Sequence, residues 1–513
     1  MSTYFKIDLY SHHFTLTRVQ ARGREVIDVF AKQYMQFGFV KVGLRFVRVP
    51  TKVYGERIRN GEQYRFHRGQ YLPFLKYLRD QQIPDHAYEV TEHTPLPGLF
   101  TDYQMQEGWT PREHQPPIID YCCSDLPTKQ KLVEIQTGKG KTACLMFSAA
   151  RLKTRMGLIL PPQFIEKWVK KDFKDMLGIP KSRIAVAQGL GPLMTIIAEA
   201  KAGILDCDAI VFSAKTLQLW FKEYKLHGDA LRDQGWDCLP GELFETLGVG
   251  LRAVDEVHMS FHLNFLIDLY THVDRSISLS ATLISDDPFN MRMFQVAYPN
   301  EMRYNGLAYD RYVFAYSWLY RVDRPELIRT MARGSTTYSH NEFEKSVMRH
   351  RRMLDSYLDM IYAAVKKFYL QDDYVPGDRC LVYCASIEMC TLVTNHLQAC
   401  FPEKDVRRYV EEDPYENLMS ADLSVSTLLS AGTGHDIPKL TTVILTTAIM
   451  SSASNIQGFG RLRKTDGRRM KFVYFVCTDV AKHVEYHEKK RPLLMSMAIE
   501  YDSRQYHLVL GQN

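Results

Sequence analysis

Short apolar runs of four to six residues, each followed by a longer stretch of helical spacing, recur through most of this chain. Between residues 101 and 300 the runs are Gly157–Leu160, Ala209–Phe212, Leu251–Val254 and Ser276–Leu279, with helical segments such as Gln163–Met176 between them. A strand that is apolar along its whole length needs cover on both faces, so the alternation predicts a parallel sheet flanked by helices. A second series follows: strand Arg379–Cys384, helix Ile387–Ala399, then strands Thr442–Leu445 and Lys471–Phe475. The expected fold class is α/β, with two parallel-sheet domains in tandem behind a small N-terminal α+β accessory domain.

The N-terminal region has its own pattern, strand-like over Val40–Val49 and helix-like over Tyr71–Gln81. The segment Thr94-Pro95-Leu96-Pro97-Gly98 resists both helix and sheet and reads as a linker. The expected organisation is an accessory domain at 1–95, a first α/β domain at 101–300, a second at 301–485 and an extension at 486–513. Within it, residues 300–370 bridge the two series and end in a helix near Tyr357–Phe368.

Composition narrows the class. With 45% hydrophobic and 24% charged residues in 513, the chain has material for several cores. No apolar run reaches the roughly 18 residues a membrane span needs, and the opening Met-Ser-Thr-Tyr-Phe-Lys lacks the layout of a secretion signal. A cytoplasmic protein with no membrane partner is expected. Ten scattered cysteines suit a reducing compartment, and Cys380, Cys384, Cys390 and Cys400 form no paired CxxC, so free thiols are expected rather than zinc. The net charge is +6, but residues 1–80 alone hold 15 Lys and Arg against 6 Asp and Glu. That basic front end points to a polyanion. Its cations Arg57, Arg59, Arg65, His67 and Arg68 alternate with Tyr54, Tyr64, Phe66 and Tyr71. Cations neutralise phosphates and aromatic faces stack on unpaired bases, which makes Arg65 and Arg68 candidate nucleic-acid contacts. Strand alternation sends Tyr64 and Phe66 to the opposite face from Arg65 and His67, so some of these aromatics belong to a core.

Five motifs carry chemistry. Ile135-Gln136-Thr137-Gly138-Lys139-Gly140-Lys141-Thr142 follows a strand at Lys131–Glu134 and opens a helix at Ala143–Leu152. Gly138 and Gly140 let backbone N–H groups turn towards phosphate, Lys141 reaches the β- and γ-phosphates of ATP, and the Thr142 hydroxyl reaches Mg²⁺. Ile135 stands where a strict phosphate loop has its first glycine. Asp255-Glu256-Val257-His258 follows the strand Leu251–Val254, placing Asp255 to hold Mg²⁺ and Glu256 to orient the attacking water. Ser280-Ala281-Thr282 follows another strand, where its hydroxyls can bond the acidic pair. Downstream come Gly432-Thr433-Gly434-His435-Asp436 and Gln457-Gly458-Phe459-Gly460-Arg461.

In this order the five segments resemble the motifs of the superfamily 2 DExH helicases and translocases, over roughly residues 105–480. The resemblance implies two RecA-like domains with ATP bound in the cleft between them. It also implies adenine contacts from Arg112 and Gln115, and backbone contacts to nucleic acid from Leu160-Pro161-Pro162 and from Ser213–Thr216, notably Pro161, Ser213 and Thr216. Gly432 and Thr433 are implied at the nucleic acid, and Asp436 and Gln457 at the nucleotide. His258 is expected to face the second domain. Arg461 is the implied phosphate contact. The family's second arginine falls at Lys464, with Arg463 one position early, so either can take the finger position. The N-terminal domain ahead of a two-lobe motor also resembles the UvsW-type helicases of T-even phages.

The resulting expectation is an ATP- and Mg²⁺-dependent DNA helicase or translocase that remodels branched or duplex DNA in recombination, repair or replication. It is expected to act as a monomer, in the host cytoplasm if phage-encoded, beside phage replication or recombination proteins. The alternatives are an RNA helicase and a catalytically inactive nucleic-acid-binding scaffold.

Overall fold

The computed structural model describes residues 3–42, 45–281, 283–304, 306–332, 337–371, 373–431, 437–465 and 467–512. The chain divides into two compact units. The first comprises Met1–Ile135, Lys139–Leu283 and Asp287–Leu307, and the second Gln136–Gly138, Ile284–Asp286 and Ala308–Asn513.

The first unit contains a seven-stranded, all-parallel sheet. Its spatial order is Ile184–Ala187, Ala209–Ser213, Met156–Leu160, Leu251–Val254, Arg275–Ser280, Gln130–Glu134, Arg303–Tyr304. Successive residues of these strands enter opposite cores, as the two-residue period of a strand requires. Leu132, Ile159, Ile210 and Phe212 face one layer, while Val133, Leu158, Leu160, Val211 and Ile277 face the other. The expected helix Gln163–Met176 is observed over Pro162–Leu177, widened by a π turn at Trp168–Asp172.

The second unit repeats the plan in the order Val406–Tyr409, Leu423–Thr427, Arg379–Cys384, Leu440–Leu445, Met470–Cys477, Val313–Val322, Glu500–Leu510. All its pairings are parallel. Val382, Ile444 and Val473 enter one core and Leu381, Tyr383, Val443 and Phe472 the other. Two parallel, doubly covered seven-stranded sheets of RecA-like type thus lie in tandem along the chain. The expected bridge at 300–370 supplies one of the second sheet's inner strands, Val313–Val322, and the expected extension supplies its edge strand, Glu500–Leu510.

The N-terminal region forms a mixed five-stranded sheet, ordered Glu56–Ile58, Gln63–His67, His13–Thr17, Phe5–Leu9, Tyr88–Glu92. Its core is continuous with that of the first unit: Phe14, Phe66 and Phe74 belong to the same buried cluster as Trp220, Phe265 and Tyr270. The run Val40–Val49, expected as one strand, belongs to two. Met35–Val42 and Arg45–Val53 pair antiparallel as a separate ribbon.

Polar groups rivet this sheet to the segment 252–276. The Arg65 guanidinium lies 4.7 Å from the Tyr270 ring centroid and 5.4 Å from that of Tyr224, and donates to the Leu269 carbonyl at 3.1 Å. His67 Nε2 sits 3.3 Å from Asp268, which also takes Arg252 at 2.5 Å. Burial opposes ionisation of Asp268, but Arg252 and His67 hold its carboxyl well below the usual carboxylate range. The expectation for Arg65 is therefore corrected: at 7% exposure it is an internal strut, not a surface contact for nucleic acid. Tyr54, Tyr64 and Phe66 are buried beside it. Arg68 stays half-exposed, paired with Glu92 at 2.8 Å.

Candidate functional site

The strand Gln130–Glu134 runs into a loop whose two glycines both sit in the left-handed region, Gly138 at φ +87° and Gly140 at +79°. The helix Lys141–Leu152 starts immediately after, with Gly140 as its N-cap. This strand–loop–helix leaves the first backbone N–H groups of the helix directed at whatever the loop encloses. A Cβ on Gly140 would lie 2.3 Å from Gln115 Nε2. Glycine there lets the Gln115 amide donate to the Lys139 carbonyl at 3.2 Å, and His114 Nε2 donates to the same oxygen at 3.0 Å. Gln115 Oε1 accepts from the Arg112 backbone N–H at 2.9 Å. Both ends of this buried carboxamide are engaged within the protein. Gln115 is placed as a brace that ties the Pro111–Gln115 turn to the loop, whereas Arg112 is exposed.

Lys141 opens the helix with its side chain 8% exposed and its Nζ 3.5 Å from Glu256 Oε1. Asp255 and Glu256 lie just past the strand Leu251–Val254, two strands away from Gln130–Glu134 in the sheet. Two contacts hold this turn in place: Val257 N–H donates to the Leu279 carbonyl at 2.9 Å and Asn264 Nδ2 to the Val257 carbonyl at 3.1 Å, while Glu256 itself adopts φ +48°. A non-glycine residue in that region is strained, and such strain persists where surrounding contacts over-determine it. Burial and the charge of Glu256 push the Asp255 carboxyl above the usual carboxylate range, with Lys141 pulling the other way.

His258 Nδ1 lies 3.0 Å from Ser280 Oγ and 3.4 Å from Glu256 Oε2. Burial lowers its pKa, Glu256 raises it and Lys141 lowers it, and burial prevails. The expected bond from the Ser280 hydroxyl to the acidic pair is corrected to a bond to His258, which stands between them. Thr282 lies outside the described residues.

The expected nucleic-acid contacts of the first unit sort by burial. Ser213 and Thr216 are 2% and 4% exposed, and the Thr216 hydroxyl accepts from the Gly189 N–H at 2.8 Å. Their side chains therefore shape the loop ends and do not present themselves to a ligand. Pro161 is half-buried and lines a cavity of about 260 Å³ with Gln163, Lys215, Ser260, Asn264 and Asp255. Lys215 falls within the expected segment Ser213–Thr216, whereas Gln163 escaped the sequence reading; both stand in the first turns of helices that follow two neighbouring strands, and ligands bind at the carboxyl ends of strands in open α/β sheets.

In the second unit, Arg461 is 7% exposed and hydrogen-bonded to Tyr383. Burial pushes the Tyr383 phenol up while Arg461 opposes the shift. Arg461 thus packs beside Tyr383 in the second unit. Arg463, partly exposed, donates to the Gly460 carbonyl, and Lys464, exposed, lies 3.7 Å from Asp310. Gln457 lies in the helix Ser452–Phe459. Gly432, Thr433 and Asp436 lie outside the described residues.

Among the described residues no group of three or more His, Cys, Asp or Glu is assembled to hold a metal. Mg²⁺ keeps several waters and binds through one or two protein oxygens plus phosphates, so it requires no such group. Asp255 and the Thr142 hydroxyl supply oxygens of this kind, and the ionisation of Asp255 that burial suppresses is what a bound cation would restore. No described helix is long and apolar enough to cross a membrane.

No protein-family model matches the chain, and no curated protein does. Among solved structures the chain is similar to S. cerevisiae Dbp5 bound to RNA and ADP BeF3, at 11% identity and TM-score 0.47, covering 78% of this chain and 91% of that one. A point variant of Dbp5 with the same ligands is similar at 11% identity and TM-score 0.47, covering 77% and 90%.

Proposed function

We propose that this chain is an ATP-driven nucleic-acid motor of the superfamily 2 type, a DNA helicase or translocase akin to the UvsW-type enzymes of T-even phages, which remodels branched or duplex DNA. The observation that carries the reading is the approach of Lys141 Nζ to Glu256 at 3.5 Å, with Asp255 beside it, at the mouth of a glycine loop that opens a helix. A buried ammonium and a carboxyl pair beside a glycine loop at a helix N-terminus form a site for a polyphosphate and its cation.

In this reading Lys141 exchanges part of its attraction to Glu256 for the β- and γ-phosphates of ATP. Glu256 then has a free carboxylate edge with which to orient a water molecule for in-line attack. Asp255 and Thr142 would hold Mg²⁺, which when bound neutralises charge on the phosphates. His258, fixed to Ser280, keeps Glu256 from swinging away and links its position to the strand Arg275–Ser280. The cavity of about 260 Å³ next to Asp255, with Lys215 and Gln163 on its wall, gives this unit a groove that shares a residue with the nucleotide loops.

The DNA preference rests on the resemblance to the phage enzymes and on the basic N-terminal region. The test is strand displacement, comparing a forked DNA, a blunt DNA duplex and an RNA duplex of the same sequence with ATP present. The reading expects displacement or branch movement on forked DNA. Displacement of the RNA duplex alone would reassign the enzyme to RNA.

A further inference from the structure

The ribbon Met35–Val42/Arg45–Val53 stands outside both larger sheets of the first unit, and among the described residues its strands pair only with each other. Phe39 lies opposite Arg48, and directly paired residues share a face. Two-residue alternation then puts Phe37, Phe39, Phe46 and Arg48 on one face. Phe39 and Phe46 are 72% and 70% exposed, and the Arg48 guanidinium lies over the Phe37 ring at 4.6 Å. The other face is no better covered, since Val40 and Val47 are also exposed. Residues 35–53 contain four Lys or Arg and not one Asp or Glu.

An isolated two-stranded ribbon is marginal in water, and a cluster of exposed phenylalanines on it marks an interaction surface. Its root is firmly held. Gln36 donates to Asp287 at 2.8 Å, Arg292 lies over the Tyr34 ring at 4.9 Å, and His262 donates to the Val53 carbonyl at 3.0 Å. Tyr54 packs edge-on against Phe265 at 4.9 Å. These anchors sit on two helices, Phe261–Asp268 and Pro288–Ala297. The first follows the Asp255–His258 turn and the second follows the segment beginning at Ser280. The ribbon is therefore mounted on the two elements that leave the nucleotide loops.

We infer that this ribbon binds single-stranded nucleic acid, with Phe39 and Phe46 stacking on unpaired bases and Arg45, Arg48 and Lys52 neutralising phosphates. The inference rests on the reading of the chain as a nucleic-acid motor. The charge favours a polyanion over a neutral protein surface. Arg48 shares a face with the aromatics, which suits a strand that offers bases and phosphates in turn and not a lipid bilayer, which takes apolar residues together. Arg65, expected in this role, is buried, and Arg57, Arg59 and Arg68 each lie beside an acid, whereas the ribbon is an exposed part of the basic front end whose sequence carries no acid.

The test uses the full chain as wild type, as Phe39→Ala/Phe46→Ala and as Arg48→Ala. Binding of a labelled oligo-dT is titrated over a range of salt, alongside a blunt DNA duplex and phosphatidylserine vesicles. ATP hydrolysis without polymer serves as the control for folding and for the nucleotide site. The double variant is expected to bind oligo-dT about 10- to 100-fold more weakly, and Arg48→Ala to reduce the salt slope by about one, with basal hydrolysis unchanged. Wild-type affinity in both variants would overturn the ribbon's role while leaving the motor reading in place. So would loss of vesicle binding with oligo-dT affinity intact, which would assign the ribbon to a membrane surface. A wild-type chain that binds neither oligo-dT nor duplex would overturn both readings together.

Discussion

Lys141 Nζ stands 3.5 Å from Glu256 Oε1, although the two residues belong to segments more than a hundred positions apart in the chain. The sheet brings them together: the strands that deliver them flank Arg275–Ser280 on either side. Each partner has a separate task once a polyphosphate enters, so their loss should differ in kind. Glu256→Gln keeps the shape of the site and removes the charge that orients water. It is expected to retain ATP affinity and lose about 10²- to 10⁴-fold in turnover. Parallel nucleotide titration and steady-state hydrolysis check this, and a Glu256→Gln enzyme with wild-type turnover would remove the proposed role.

Gly140 should tolerate nothing larger. It sits at φ +79°, and a Cβ there would meet Gln115 Nε2 at 2.3 Å. Gly140→Ala is expected to push the Pro111–Gln115 turn off the loop and abolish measurable ATP binding, with little change in global unfolding. Gln115→Ala, which deletes the brace but leaves the loop its glycine, should raise KM for ATP with a smaller effect on kcat. Equal effects of the two substitutions on kcat alone would contradict the bracing role.

Arg65 and Arg48 carry the same charge and should behave as opposites. Arg65 is enclosed by Tyr224, Tyr270 and the Leu269 carbonyl. Arg65→Ala leaves that carbonyl and a cavity behind, a loss of about 2–4 kcal/mol in stability. Chemical denaturation followed by tryptophan fluorescence measures it, since Trp220 lies in the same core. The salt dependence of oligonucleotide binding should not change. If Arg65→Ala instead flattened the salt slope at unchanged stability, the residue would be a surface contact after all.

Lys490 offers a pH test in the second unit. It is fully buried, 4.6 Å from the Tyr474 ring centroid, and burial pushes its ammonium down to about 7 from an ordinary value of 10.5. Between these two values the unfolded chain holds a proton that the folded chain has released, so stability rises with pH across about 7 to 10. Lys490→Met fills similar space without the charge. It is expected to be more stable than wild type by ~2–5 kcal/mol at neutral pH and to lose that upward trend. Thermal unfolding at several pH values compares the two, and identical pH profiles would contradict the assignment.

The strands Leu251–Val254 and Arg379–Cys384 were legible because each is a short, mainly apolar run beside a segment of helical spacing or an acidic pair, and Gln130–Glu134 because it leads into the glycine loop. Glu500–Leu510 was not legible: at a sheet edge only one flank needs pairing, and its charged and polar residues read as a surface tail. Val313–Val322 is apolar enough, but it follows a stretch without helical spacing and gave no βα alternation to place it. The role of Arg65 was misread because a sequence shows charge but not the aromatic partner, Tyr270, that takes its guanidinium inside. The ribbon could have been found from Phe37, Phe39 and Phe46 beside four cations and no acid, had the antiparallel pairing been recognised.

The central claim, that Lys141, Asp255 and Glu256 form an ATPase site coupled to nucleic acid, is tested most directly by steady-state ATP hydrolysis. Wild type and Lys141→Ala are to be compared without polymer, with single-stranded DNA, with forked DNA and with RNA. The account predicts hydrolysis that DNA stimulates, most strongly on the fork, and that disappears in Lys141→Ala. Hydrolysis that persists in Lys141→Ala, or a wild-type enzyme inert with every polymer, would contradict it.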